Sequence, residues 1–483
     1  MRIRIVLHHV GYIIIAVGLV MILPFICSLV YGESDVIPFF LSIVITVCFG
    51  IMVVLATPKG EQKLMIREAL AVVALTWVAI SAFSAIPYMI AGTFASYIDA
   101  YFEAMSGFTT TGASVMTDIE IHPHGIILWR SLTQWLGGMG IITLFVAIFP
   151  LLGVGTAQLL ETEVPGPESK RLTARIRDTA RSLWFIYLGM TVLEIVLLVF
   201  AGMPFFDSIA HTFSTVATGG FSPKNLSIGA YNSIFINIIV IFFMLAAGVN
   251  FSLYYFIIWK RDFKRLFRDI EFRFYIVILI AASAIISIDL VCNMRLPVDL
   301  AINQGIFQVV SIQTTTGFIT ADFNSWPVLS KAILIILMLI GASAGSTGGA
   351  VKVIRIITLI KYAYTEILRV INPRAVIPVK LQGQAIPQSV LSRVLGMIAL
   401  YMITSIVAFL LMSAVGLDPV SAISSVFTTL GNVGPGLGVV GPVANYFLVP
   451  DLGKVVLIIC MLVGRLEFWA VLVLFTPAFW KWR

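Results

Sequence analysis

The sequence predicts an all-α integral membrane protein: four parallel helix–pore loop–helix repeats around one central pore, preceded by two extra N-terminal helices. Three observations carry this. Residues of the AVILMFWYC set make up 59% of the chain and charged residues 11%, against about 25% charged in soluble domains. Apolar runs of about 20 residues, enough to cross a bilayer, recur along the chain. A Thr/Ser-rich stretch ending at glycine returns four times: Ser106-Gly107-Phe108-Thr109-Thr110-Thr111-Gly112-Ala113, Ser214-Thr215-Val216-Ala217-Thr218-Gly219-Gly220-Phe221, Ser311-Ile312-Gln313-Thr314-Thr315-Thr316-Gly317-Phe318 and Thr428-Thr429-Leu430-Gly431-Asn432-Val433-Gly434-Pro435. Gly112, Gly219, Gly317 and Gly434 align, 107, 98 and 117 residues apart. That period is too long for a solenoid and suits a unit of helix, re-entrant loop and helix.

The runs 10–31 and 36–57 form the N-terminal pair. Met1-Arg2-Ile3-Arg4 resembles the start of a signal peptide, but no clear cleavage site follows and more spans do, so the first run reads as a retained helix. Unit one has a span at 69–92, a short helix at 97–107, the loop 108–114 and a span at 126–152. Unit two has 182–203, 205–215, 216–221 and 232–258. Unit three has 274–294, 298–312, 313–319 and a long broken segment, 329–364. Unit four has 390–415, 418–429, 430–437 and 453–477. The reading gives ten full spans and four half-spans, divided as 1–66, 67–165, 166–265, 266–375 and 376–483.

Charge orients the layout. The N-terminus, the segments 58–68, 163–181, 259–273 and 352–393, and Lys481-Trp482-Arg483 hold most of the Lys and Arg, and all fall on one side. Positive-inside then puts both termini in the cytoplasm and the four loops in the outer half. Every unit starts and ends inside, so the repeats are parallel, unlike the inverted repeats of many transporters. The net charge of +7 therefore reflects topology and lipid contact and is no nucleic-acid signal. Cys27, Cys48, Cys292 and Cys460 show neither disulfide nor metal spacing.

Irregular backbone at membrane depth must be buried in protein or line a wet cavity. Rings of backbone carbonyls that replace a hydration shell form potassium filters, and glycine permits the backbone they need. Preceding Thr hydroxyls add oxygens, and short helices aim their negative C-terminal ends at a cation. No charged side chain is needed, and none occurs in 108–114, 214–221 or 313–319. Small-residue helix contacts are the alternative for a single cluster. Four clusters after matched half-helices favour the filter.

The chain resembles the Trk/Ktr/HKT superfamily of potassium transporters, specifically the TrkH-type membrane subunit. The resemblance rests on 103–114, Thr218-Gly219-Gly220-Phe221, Thr314-Thr315-Thr316-Gly317-Phe318, 431–436 and Gly345-Ser346-Thr347-Gly348-Gly349, and covers nearly the whole length. It implies potassium at Thr110, Thr111, Gly112, Thr218, Gly219, Thr315, Thr316, Gly317, Asn432, Val433 and Gly434. Some sodium-favouring relatives have serine at the first glycine; Gly112 argues for potassium. The fourth loop departs from the Thr-Thr-Gly form, so the filter is only pseudo-fourfold.

Residues 341–350, followed by Lys352, interrupt the second span of unit three. By themselves they read equally as a functional break or as a packing ladder of Gly341, Gly345 and Gly349. The resemblance implies an intramembrane gating loop at Gly345, Ser346, Thr347, Gly348, Gly349 and Lys352. Arg465 stands mid-span, where a charge is expensive. Glu467, two residues on, points elsewhere on a helix. Arg465 reads as a positive charge below the filter, matching the family's arginine, with a structural pair to Glu194 as the alternative. Glu103 reads as a hydrogen-bonder behind the filter, and His122 with His124 as a solvated loop.

No nucleotide fingerprint appears; Gly138-Met139-Gly140 and Gly153-Val154-Gly155 lie in or at the end of an apolar span. The resemblance implies a homodimer with one pore per chain. It also implies a cytoplasmic TrkA-type regulatory subunit that binds the nucleotide (NAD or ATP), docking on the basic face of 163–181 and 259–273, with no covalent cofactor on this chain. A bacterial inner-membrane location follows. No catalytic constellation supports an enzyme. A carrier coupled to protons or sodium would need a titratable acid in the path, for which Glu103, Glu194 and Glu467 are the candidates.

Overall fold

The computed structural model describes residues 2–57, 65–147 and 169–480. The basic residues of 58–64 and 481–483, the segment 163–168, the end of the 126–152 span and Gly153-Val154-Gly155 lie outside them. Helix dominates. Six described helices are long and apolar enough to cross a membrane, and seven if one bent pair counts as a span.

Prolines set the interruptions of the early spans. The predicted run 10–31 forms two helices, Ile3–Val20 and Ile22–Tyr31. Pro24 lacks an N–H and crowds the carbonyl four residues back, at Val20. The same reason divides Ile66–Ser84 from Ile86–Ile90, which carries Pro87. Val36–Ala56 completes the N-terminal pair. Arg2 fastens this pair to unit one, its Nε and a terminal nitrogen each donating to the Glu68 carboxylate at 2.6 Å.

The four predicted half-spans are all short helices: Tyr97–Phe108, Phe205–Val216, Val298–Gln313 and Pro419–Gly431. The first spans of units two, three and four are Ser169–Phe200, Ile270–Met294 and Gln388–Ala414. The second spans differ more from expectation. That of unit one is the helix His124–Ala147. That of unit four, Asp451–Leu472, has a non-helical residue inside it, Glu467 with φ 59° and ψ 144°.

The span expected at 232–258 is sharply bent. It is two helices, Ile234–Ala247 and Phe251–Lys260, bent by 95°. Asn250 caps the second, its side chain accepting from Ser252 N at 2.9 Å. The backbone freed at the bend bonds to the interrupted segment of unit three. Phe251 N donates to Gly345 O at 3.0 Å, and Gly248 O accepts from Ser343 N at 3.0 Å. Gly248 and Asn250 interrupt the apolar run, but nothing local announces partners almost a hundred residues away.

The second span of unit three divides into Val328–Leu339 and Val353–Ile371. An unpredicted hairpin follows, Lys380–Leu381 against Gln384–Ala385, with Lys380 opposite Ala385. The core falls into two large clusters. One joins the N-terminal pair to units one and four, and the other joins units two and three.

Candidate functional site

All four short helices end in one way. The N–H of the residue after the cap bonds three residues back, and the next N–H bonds five back. In unit one, Thr110 N donates to Gly107 O and Thr111 N to Ser106 O, both at 2.9 Å. Thr218 and Gly219, Thr315 and Thr316, and Asn432 and Val433 repeat the pattern. This is a Schellman ending, which needs a left-handed residue usually supplied by glycine. Here Thr110, Thr218, Thr315 and Asn432 fill it, at φ 51°, 53°, 62° and 54°. A β-branched residue in that region is an outlier, costing on the order of 1–3 kcal/mol and found where surroundings over-determine it, often at functional sites.

Two residues further on, Gly112, Gly220, Gly317 and Gly434 also have positive φ, at 79°, 82°, 81° and 102°. The aligned glycine of unit two is therefore Gly220. Gly219 occupies the place of Thr111, Thr316 and Val433, one residue earlier than the sequence alignment put it. The contacts agree. A Cβ added to Gly112 would collide with the carbonyl oxygen of Gly219, one on Gly220 with that of Thr316, and one on Gly317 with that of Val433. One on Gly434 would lie 2.8 Å from that of Thr111. Unit one thus abuts two, two abuts three, three abuts four, and four closes on one. The four glycines line a single cavity of about 130 Å³.

Under this ring lies the interrupted segment, residues 340–352. Gly345 and Ala350 have φ 76° and 54°, so Gly341, Gly345 and Gly349 do not form a helical packing ladder. Gly349 N donates to Thr315 Oγ1 at 2.7 Å, and Thr347 Oγ1 to Val216 O at 3.1 Å. Arg465 is 3% exposed. Its guanidinium donates to Thr347 O at 2.7 Å and to Gly137 O at 3.1 Å. The Glu194 alternative fails: both its carboxylate oxygens are buried, with no hydrogen-bond partner among the described residues. Lys352 Nζ donates to Gly348 O. Glu467 pairs with Arg355 at 2.7 Å. A cavity of about 30 Å³ is lined by the segment together with Arg465 and Glu467.

Residues 37–482 match the TrkH family, described as cation transport proteins. The chain is 40% identical, over 484 residues and 100% of both chains, to the Trk system potassium uptake protein TrkH of Halomonas elongata and to that of Escherichia coli K12. Its structure is similar to the crystal structure of the potassium transporter TrkH from Vibrio parahaemolyticus, with TM-score 0.92, 37% identity and full coverage of both chains. The chain belongs to the TrkH family. This TrkH-family chain is thus a multi-pass membrane protein of a transporter family, not an enzyme.

At this TrkH-family site Arg130 and Gln134 escaped sequence reasoning because their partners are distant. Glu103 is fully buried and accepts from Arg130 Nε at 2.8 Å, Val115 N at 2.9 Å and Ser114 Oγ at 3.0 Å. Arg130 also donates to Ser222 O at 3.2 Å and lies 4.2 Å from the Phe221 ring centroid. The pair thus joins the outer ends of loops one and two. Gln134 brackets loop two, donating to Gly219 O at 2.7 Å and accepting from Phe221 N at 3.0 Å. Asn432 Nδ2 donates to Thr111 Oγ1 at 2.9 Å, joining loop four to loop one. His124 is not merely solvated: it bonds Glu33 at 2.7 Å and stacks on Tyr31. No group of three potential metal-ligating side chains occurs among the described residues.

Two predictions arise here. Removing one member of a buried ion pair costs about 3–5 kcal/mol, so Arg130→Met is expected to lower the thermal midpoint of the detergent-solubilised protein by many degrees. Glu103→Leu in addition is expected to recover part of the loss. Glu271, also buried, accepts from Ala344 N at 2.8 Å and Ile354 N at 3.0 Å, holding both ends of the interrupted segment. Glu271→Ala is expected to speed protease cleavage or cysteine labelling within 343–350. Glu271→Gln, which keeps an acceptor, is expected to change it less.

Proposed function

We propose that this chain takes up potassium through a channel-like pore whose filter is the ring of four loops. One observation carries the reading: each glycine of the ring packs on the backbone carbonyl preceding the glycine of the next unit, and the contacts close into a circle. Such a ring offers oxygens without charge, which suits a cation stripped of its water. Thr110 Oγ1 is buried, with no hydrogen-bond partner among the described residues, which supports its service as an added oxygen. The ion-binding set is Thr110, Thr111, Gly112, Thr218, Gly219, Gly220, Thr315, Thr316, Gly317, Asn432, Val433 and Gly434. The names of the relatives, potassium uptake proteins, support the choice of cation.

Residues 340–352 form the gate, braced by Arg465. The support is their place beneath the loops and the bond from Gly349 to Thr315. The chain acts as a homodimer in a bacterial inner membrane, both termini cytoplasmic. A TrkA-type partner binds the nucleotide, NAD or ATP, and moves the gate. This chain binds potassium alone, with no covalent cofactor. The second reading, a carrier coupled to protons or sodium, draws support from the buried acid Glu194, which forms no ion pair among the described residues. Glu194→Gln in proteoliposomes separates the two: a pore keeps its potassium flux, and a proton-coupled carrier that uses this acid loses it.

A further inference from the structure

A second polar cavity, about 580 Å³, opens at the end of Ile270–Met294 remote from the glycine ring. Three of its lining residues are Arg265, Arg268 and Arg273. Its two acids are already engaged. Asp269 accepts from Phe272 N at 2.8 Å and from Gln382 Nε2 at 3.0 Å. Glu271 holds the backbone N–H groups of Ala344 and Ile354. None of the three arginines forms an ion pair among the described residues. Arg265 lays its guanidinium on the Phe256 ring, 3.7 Å from the centroid. Stacking uses the face of a guanidinium and leaves its edge donors for a planar fork to a phosphate.

The surroundings identify the source of that phosphate. Trp259, Phe263 and Phe267 are 48%, 62% and 69% exposed, among Lys260, Lys264 and the arginines. Phe263 and Phe267 lie four apart on one face of the helix Phe263–Arg268. Exposed aromatic rings interleaved with cations mark the headgroup boundary of a bilayer. Basic pockets between spanning helices hold anionic headgroups. We propose that this cleft binds the headgroup phosphate of an anionic phospholipid, beside the residue that anchors the gate segment. The proposal needs only that the chain lies in a membrane and stands apart from the potassium reading.

The test is native mass spectrometry of the full chain in detergent, exposed to phosphatidylglycerol or phosphatidylcholine. The wild type is expected to retain phosphatidylglycerol in preference. The variant R265Q/R268Q/R273Q is expected to retain it less, by on the order of a hundredfold for three basic contacts. R265K/R268K/R273K keeps the charge but loses the planar fork, and is expected to retain an intermediate amount. Excess inorganic phosphate is expected to leave the lipid bound. Equal retention by the glutamine variant would overturn the proposal. So would equal losses in the lysine and glutamine variants, or displacement of the lipid by inorganic phosphate.

Discussion

Gly220→Ala is expected to reduce potassium and rubidium flux by at least about tenfold, and Gly219→Ala to cost less. At Gly220 a methyl group meets two obstacles. The backbone has φ 82°, and left-handed backbone costs an L-residue about 1–2 kcal/mol, already about a tenfold change in an equilibrium. The new Cβ would also collide with the Thr316 carbonyl oxygen, a backbone atom within the ring. Relief requires loop three to move away from loop two, which changes the opening itself. At Gly219 the backbone is not left-handed, and the obstacle is the Gln134 side chain, whose shift would break its bonds to Gly219 O and Phe221 N but would not push on the backbone of the next loop. Gly112→Ala and Gly317→Ala should behave like Gly220→Ala, since each would strike the carbonyl of the next unit. Rubidium uptake into proteoliposomes measures all four. A stronger effect at Gly219 than at Gly220 would restore the register drawn from the sequence.

Arg465→Ala is expected to raise flux by severalfold in the absence of any partner subunit. The arginine joins two backbone oxygens, Thr347 O in the interrupted segment and Gly137 O in the second span of unit one. Hydrogen bonds to a charged group each contribute about 1.5–3 kcal/mol, so losing one that holds the proposed gate shifts an open–closed balance by about tenfold or more. The buried positive charge, which opposes a cation below the ring, goes as well. Arg465→Lys separates these effects. A lysine keeps the charge but cannot span two carbonyls with a planar fork. If bracing dominates, lysine behaves like alanine. If charge dominates, lysine behaves like arginine. Single-channel recording in planar bilayers distinguishes the two. Unchanged open probability and conductance in both variants would remove Arg465 from the gate.

The four short helices were legible because polar Thr/Ser stretches interrupt apolar runs at matched places, and their observed limits fall within two residues of those expected. Arg465 was legible as a charge in the middle of a span. The register of loop two was not, because Gly219-Gly220 offers two glycines and only the backbone reveals which has positive φ. The 95° bend was hidden for a different reason. Its local signs are slight, Gly248 and the capping Asn250, and its cause is tertiary, a set of backbone bonds to residues 343–347. Arg130, Gln134 and Glu271 were missed in the same way. Their partners lie 27, 85 and 73 residues distant, and one sequence without relatives to align does not reveal such pairs.

The central claim is a pore that selects by a ring of oxygens and needs no second ion. Its most direct test is flux through the purified chain in sealed liposomes, with potassium, rubidium, sodium and lithium gradients compared at fixed pH, with and without a proton gradient. The account predicts potassium and rubidium flux that exceeds sodium and lithium flux and ignores the proton gradient. Flux that stops when the proton or sodium gradient is removed would contradict it.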